Sequence, residues 1–225
     1  MLSLIELGSM GVIGGGASRN GRRVGCTGVF GRVFNLSRST QGTSGRSDSL
    51  KRQISRRPSI RLMELDFNPG DTVLISVLRP SRAPSSPYHK MFAISSDELF
   101  EVAGLAKQTT PYITKRDKFA ASVKANVIKP RPNIPNFIEK GVMIARRMAG
   151  VKVTYWYRHC NCYHYTDYLT YGQTFGSSDN FFYQPASVDC PVFATITSET
   201  DVSSPEFTLK TKNGKPVILN PLPDE

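Results

Sequence analysis

Six consecutive positions, His159 to His164, hold two of the chain's three histidines and two of its four cysteines. Such density admits a metal knuckle or a cysteine nucleophile. Tetrahedral zinc sites usually draw ligands as pairs from two separated segments, with two to four residues inside each pair. His159, Cys160, Cys162 and His164 would have to bend the backbone too tightly to share one ion, so no metal and no cofactor are expected. His159 then reads as a strand-end surface residue and His164 as a helix residue packed near the nucleophile turn.

The nucleophile reading rests on context. Asn161-Cys162 follows the strand-like run Val151 to Tyr157 and precedes Tyr163 to Tyr171, which Gly172 closes as a helix C-terminus would be closed. Cys162 is thereby placed at a helix N-terminus, where unsatisfied amides and the helix dipole favour a thiolate. Without a histidine it would be a small buried hydrophobe, and His89 is the one histidine outside the cluster. His89 opens a strand candidate, Tyr88 to Ile94, and suits the role of general base. Glu101, twelve residues on, could orient the imidazole by accepting from one ring nitrogen. Glu98 and Asp97 compete for that role.

The elements that must position these groups begin near Asp66. Phe67 to Asp71 is turn chemistry, and Thr72 to Leu78 is a β-branched apolar run of strand length. A Pro/Ser-rich loop, Arg79 to Pro87, leads to the His89 strand. After a turn at Ser95 to Asp97, Glu98 to Val102 alternates as a hairpin return. Lys118 to Lys129 supplies further strand. Asn136 and Glu139 suggest a capping box for a helix running to about Met148, with Ile138, Val142, Ala145 and Met148 on one face and Gly150 as its stop. Beyond Ser177 the chain carries many prolines and turn residues, with Val192 to Ile196 as a strand candidate.

The chain has 225 residues and a net charge of +11. Residues 1–61 account for +9 of it, with eleven basic side chains against Glu6 and Asp48. The basic character therefore belongs to a Gly/Ser/Arg-rich segment, 1–64, that reads as a disordered tail. Its composition also fits a mitochondrial leader, but the first basic residue is Arg19 and the glycines oppose an amphipathic helix. The run Arg56 to Ser59 could meet a basophilic kinase or an anionic lipid surface. A nucleic-acid partner is not favoured, because the folded body lacks an excess of Lys and Arg. No apolar run approaches a bilayer span. Four cysteines at 26, 160, 162 and 190 suggest no disulfide framework, which points to reduced thiols in a cytoplasmic setting.

Gly150 to Gly172, GVKVTYWYRHCNCYHYTDYLTYG, resembles the signature of the lecithin:retinol acyltransferase (LRAT) family, in which a G-x-x-V-x-Y strand leads to NCEHF and a helix ending in RYG. Pro69-Gly70-Asp71 and the strand YHKMFAI are similar to that family's PGD entry and its H-W-x-I-Y strand. The resemblance covers about residues 65–176, with 177–225 left as a partly disordered C-terminal extension. It implies an α+β fold, an antiparallel sheet packed with helices in the circularly permuted papain-like (NlpC-like) arrangement. It also implies Cys162 as nucleophile, His89 as base and Glu101 in the orienting position, where family members have a second histidine. Members transfer an acyl group from a phospholipid through a cysteine thioester to water, an amine or another lipid. The expected partners are therefore a phospholipid or acyl-lipid substrate and an anionic membrane contacted through the basic tail. Tyr163 departs from the pattern by replacing an acidic residue. A second outcome is an interaction module of the same fold that has lost catalysis, since picornaviral proteins carry a related His-box and NC arrangement.

Overall fold

Two apolar layers sandwich one antiparallel sheet in the computed structural model, which describes residues 60–76, 88–104 and 107–222. The basic segment through Ser59, the run Arg56 to Ser59, Cys26, the loop Arg79 to Pro87 and the final residues 223–225 lie outside the described residues. The sheet is built from β1 (Ile60–Arg61), β2 (Thr72–Ser76), β3 (Tyr88–Ala93), β4 (Glu98–Glu101), β6 (Tyr112–Lys115) and β7 (Lys124–Ile128), in the order β1-β7-β2-β3-β4-β6. β5 (Gln108–Thr109) pairs separately with β8 (Val153–Thr154), and β9 (Thr208–Lys210) with β10 (Pro216–Ile218). Two α-helices are described, α1 (Ile138–Met148) and α2 (Cys162–Tyr171). This is the expected α+β architecture with an antiparallel sheet.

Val73 and Leu74 point to opposite faces of β2 and are both buried, so its run is apolar rather than alternating. Along β3, neighbouring side chains enter opposite layers. Met91 joins Leu62, Phe67, Val73 and Leu99, while Phe92 joins Phe100 and the helices' Ile144, Met148, Tyr165 and Leu169. The hairpin turn between β3 and β4 forms where expected, with the Ser95 hydroxyl accepting from the amides of Asp97 and Glu98.

α1 ends at Met148 as expected, and Gly150 turns the chain with φ +84°. Its start differs: no side chain caps it, and the Asn136/Glu139 box does not form. The Phe137 amide instead donates to the Thr170 carbonyl of α2, so a tertiary contact replaces the local cap. The two helices cross closely at Gly141, where an added Cβ would fall 1.9 Å from the Leu169 carbonyl oxygen. Every residue of α2 is buried. Its polar side chains are satisfied internally, with Thr166 and Thr170 donating to carbonyls one turn back.

Three further expectations are corrected. The strand before the cysteine cluster is only Val153–Thr154, followed by a turn that closes with a Trp156–Cys160 bridge. The segment after Ser177 is part of the core: Cys190, Val192, Ile196, Val202, Leu209 and Leu219 pack into the helix-side layer. The buried guanidinium of Arg147 holds it there, donating to the carbonyls of Val202, Ser204, Pro205, Phe207 and Asn220. The thiols are not all reduced. Bonds from Gln184 N to Arg158 O and from Ser187 N to His159 O lay the loop against the turn, and Cys160 is joined to Cys190 across a Cα separation of 5.4 Å. Among the described residues Cys162 alone keeps a free thiol. No helix among them is long and apolar enough to cross a membrane.

Candidate active site

Asn161 is the N-cap of α2 and fixes where the helix begins. Its Oδ1 accepts from the Tyr163 amide at 3.0 Å, and its Nδ2 donates to the carbonyls of Tyr157 and Phe182 at 2.6 Å each. His164 completes a capping box. Its Nδ1 accepts from the Asn161 amide at 3.2 Å, and its Nε2 donates to the Gln184 carbonyl at 2.7 Å. Burial first, opposed by that bond, lowers its pKa to about 4, so the ring is neutral and both nitrogens have structural roles. The resulting frame presents Cys162 as the first helical residue, whose amide has no acceptor within the helix.

His89 reaches the same point from β3. Its imidazole interacts electrostatically with both Cys162 and Glu101. Nε2 is 3.1 Å from Glu101 Oε1, although its N–H is not well aligned with any acceptor. Glu101 ends β4, opposite Tyr112 of β6, whose phenol lies close enough to lower the carboxylate's pKa. Cys162, His89, Glu101 and Tyr112 thus come together from four elements, enclosed at Cys162 and His89 and open to solvent at Tyr112. Cys162 and His89 are only 6% and 8% exposed.

β3 and β4 pair at just Phe92–Phe100 and Ala93–Leu99. Nearer the start of β3, the Lys90 amide is directed toward the Cys162 sulfur and favours its thiolate. The Lys90 side chain is buried too, its ammonium 3.2 Å from Asp167 Oδ1 and 4.6 Å from the centre of the Tyr163 ring. Asp167 also accepts from the Tyr183 hydroxyl at 2.7 Å. Tyr163 is therefore packed under a cation beside the nucleophile.

Electrostatics favour an ion pair. Burial would push the Cys162 thiol up, but the charge and hydrogen bond of His89, the Lys90 amide and the Lys90 ammonium together hold it below the ordinary range. Burial would likewise lower the His89 pKa, and the facing sulfur and the Glu101 carboxylate raise it instead. Burial raises Glu101, yet its bonds and charge interaction with His89, with the Tyr112 phenol, leave it lowered.

The geometry brings together all three residues singled out by sequence, Cys162, His89 and Glu101. Asp97 and Glu98 are engaged elsewhere, Asp97 near Arg116 and Glu98 with Arg146 at 3.0 Å. The four residues considered for a shared metal are dispersed among separate partners. His159 lies 3.1 Å from the Pro185 carbonyl, Cys160 is in the disulfide, Cys162 faces His89, and His164 caps the helix. Sequence reasoning missed Lys90, Tyr112 and Tyr155, the last a buried phenol within electrostatic range of Cys162 and Glu101. Lys90 is adjacent to His89 in sequence, but its burial depends on Asp167, 77 positions away. Compared with known proteins, the chain matches no family model and no curated protein sequence.

Proposed function

We propose that the domain is a cysteine acyltransferase or phospholipase, similar in plan to LRAT proteins, with a circularly permuted papain-like arrangement. The observation that carries this reading is the buried row Cys162–His89–Glu101, drawn from a helix N-terminus and two strands. Charge coupling within the row favours a thiolate facing an imidazolium, the form in which a cysteine attacks without further activation.

In the first half-reaction the thiolate attacks the ester carbonyl carbon of a phospholipid. The developing oxyanion is stabilised from the N-terminus of α2, where the Cys162 amide is available. Collapse breaks the ester C–O bond, and the lysophospholipid leaves with the proton carried by His89. The acyl group remains on Cys162 as a thioester. In the second half-reaction neutral His89 takes a proton from water, an amine or a lipid hydroxyl as that group attacks the thioester, and the thiolate is expelled. Glu101, steadied by Tyr112, orients the imidazole and stabilises its charged form.

The test is turnover of a short-chain phosphatidylcholine by the full chain with its disulfide intact. We expect fatty acid or acyl-acceptor product from wild type and none from Cys162→Ala. A folded wild-type chain that releases no product rejects the reading. The near-closure of Cys162 and His89 to solvent favours a second reading, an interaction module without catalysis. That reading predicts a function untouched by Cys162→Ala and no labelling of Cys162 by an acyl-directed thiol probe.

A further inference from the structure

The turn that delivers the nucleophile exposes aromatic surface. Trp156, Tyr157 and Phe181 are 43%, 43% and 51% exposed, among the few large apolar side chains so exposed in the described residues. Tyr157 and Phe181 share one rim, because the turn and the loop are bound side by side, and Trp156 precedes Tyr157 in the same turn. Asn161 holds the Tyr157 and Phe182 carbonyls together, Tyr157 meets the Phe182 ring edge-on at 5.6 Å, and Phe182 meets Phe181 at 5.0 Å. Cations flank the rings. Arg158 stacks on Phe181 at 3.7 Å, and Lys107 lies 5.9 Å from the centre of the Trp156 ring. Beside Trp156 opens a cavity of about 620 Å³ lined in part by Lys107, Lys152 and Asp189. Among the described residues, no carboxylate forms an ion pair with Lys107, Lys152 or Arg158.

We propose that this rim docks the folded body on an anionic phospholipid bilayer. Tryptophan and tyrosine favour the headgroup boundary because each has an apolar body and a polar handle. Uncompensated lysine and arginine beside them complement lipid phosphates, and Asp189 faces the ammonium groups that share that layer. The rim is coupled to the site, since Asn161 binds the Tyr157 carbonyl and caps the helix that begins at Cys162. The purpose of docking rests on the acyl-lipid reading: a membrane-resident ester would meet the surface next to the nucleophile. This contact belongs to the folded body, and is distinct from one made through the basic segment 1–64.

Trp156 is the chain's one tryptophan, so its fluorescence reports this surface directly. The experiment adds the full chain to vesicles of phosphatidylcholine with phosphatidylserine, or of phosphatidylcholine alone, and follows Trp156 emission together with co-flotation. We expect a blue shift on the anionic vesicles, quenching by acyl chains brominated near the headgroup, and weakening by salt. Tyr157→Ser/Phe181→Ser and Lys107→Glu/Lys152→Glu should each lower partitioning on the order of tenfold while leaving the fold intact. Absence of binding overturns the proposal. So does flotation with unmoved Trp156 emission, which assigns the contact to another segment. An emission shift that follows protein concentration without lipid also overturns it, by assigning the rim to a second copy of the chain. A chain that forms an acyl-enzyme with a monomeric short-chain lipid but leaves Trp156 unmoved on vesicles defeats docking alone. One that docks without ever forming the acyl-enzyme defeats the catalytic reading alone.

Discussion

Cys162 is more enclosed than a reactive thiol usually is, and its chemistry depends on which of two opposed effects wins. Burial disfavours the thiolate, while His89 and Lys90 favour it and prevail. Peptide-resolved alkylation by iodoacetamide should therefore give Cys162 a pH midpoint below the ordinary thiol value of about 8.5. His89→Asn should move it upward, and a wild-type midpoint at or above the ordinary value contradicts the ion pair. The stability consequence has a definite sign. The depressed Cys162 and Glu101 contribute stability above their unfolded pKa values and lose it as pH falls through their folded values. The raised His89 contributes fully below its unfolded value and loses it as pH rises through its folded one. Where the Cys162 and His89 shifts act together their slopes oppose, so unfolding free energy should be nearly flat around neutrality. It should fall toward acid and toward alkali, and His89→Asn, which removes the main group depressing Cys162 and Glu101, should lessen the fall toward acid, as read by urea titration. Glu101→Gln should lower kcat/KM by roughly 10²-fold or more and remove its share of the acid-side stability, because the imidazole loses the anion that orients and charges it. Cys162, His89 and Glu101 were legible because helix-start context, a lone distant histidine and strand spacing each leave a mark in sequence. Lys90 and Tyr112 were not, since a lysine becomes a site residue only when a remote carboxylate permits its burial.

α2 is surrounded on all sides, and two contacts from α1 set how it is held. At Gly141 the helix backbones touch, so Gly141→Ala must separate them or distort the Leu169 carbonyl. Arg147 satisfies a set of carbonyls in the C-terminal segment, and its removal leaves the buried Val202 carbonyl and four part-buried ones without that donor. Arg147→Met should cost about 2–3 kcal/mol, measured by urea unfolding, with the 200–220 region gaining hydrogen exchange first. A loss within experimental error would show that the segment is held by its apolar contacts alone. The central strands and both helices were readable from β-branched runs, from alternation and from the glycines that stop each helix. The α1 cap and β9–β10 were not. Phe137 takes its acceptor from α2, and the β9–β10 hairpin has three-residue strands whose fixing partners lie elsewhere in the chain.

At the scale of the whole molecule, the segment after Ser177 and the disulfide change how the domain is understood. The Cys160–Cys190 bond closes a loop of 30 residues, which chain-entropy reasoning values at about 3 to 4 kcal/mol. Dithiothreitol, or Cys160→Ser/Cys190→Ser, should lower the urea midpoint accordingly, and an unchanged midpoint would remove the bond from the stabilising contacts. Sequence could not pair these cysteines, because only the bonding of residues 184–187 to the turn at 158–159 brings Cys190 beside Cys160. The expected cytoplasmic setting rested on reduced thiols, and this bond removes that ground. The same loop frames Asn161 and the capping His164, so the segment after Ser177 supports the nucleophile's position. The most direct test of the central claim is peptide mapping by mass spectrometry after brief exposure to a short-chain phosphatidylcholine. A hydroxylamine-labile acyl adduct on the peptide containing Cys162, absent from Cys162→Ala and strongly diminished in His89→Asn, is the predicted result. A folded wild-type chain with no adduct, or with one that forms equally well without His89, would contradict it.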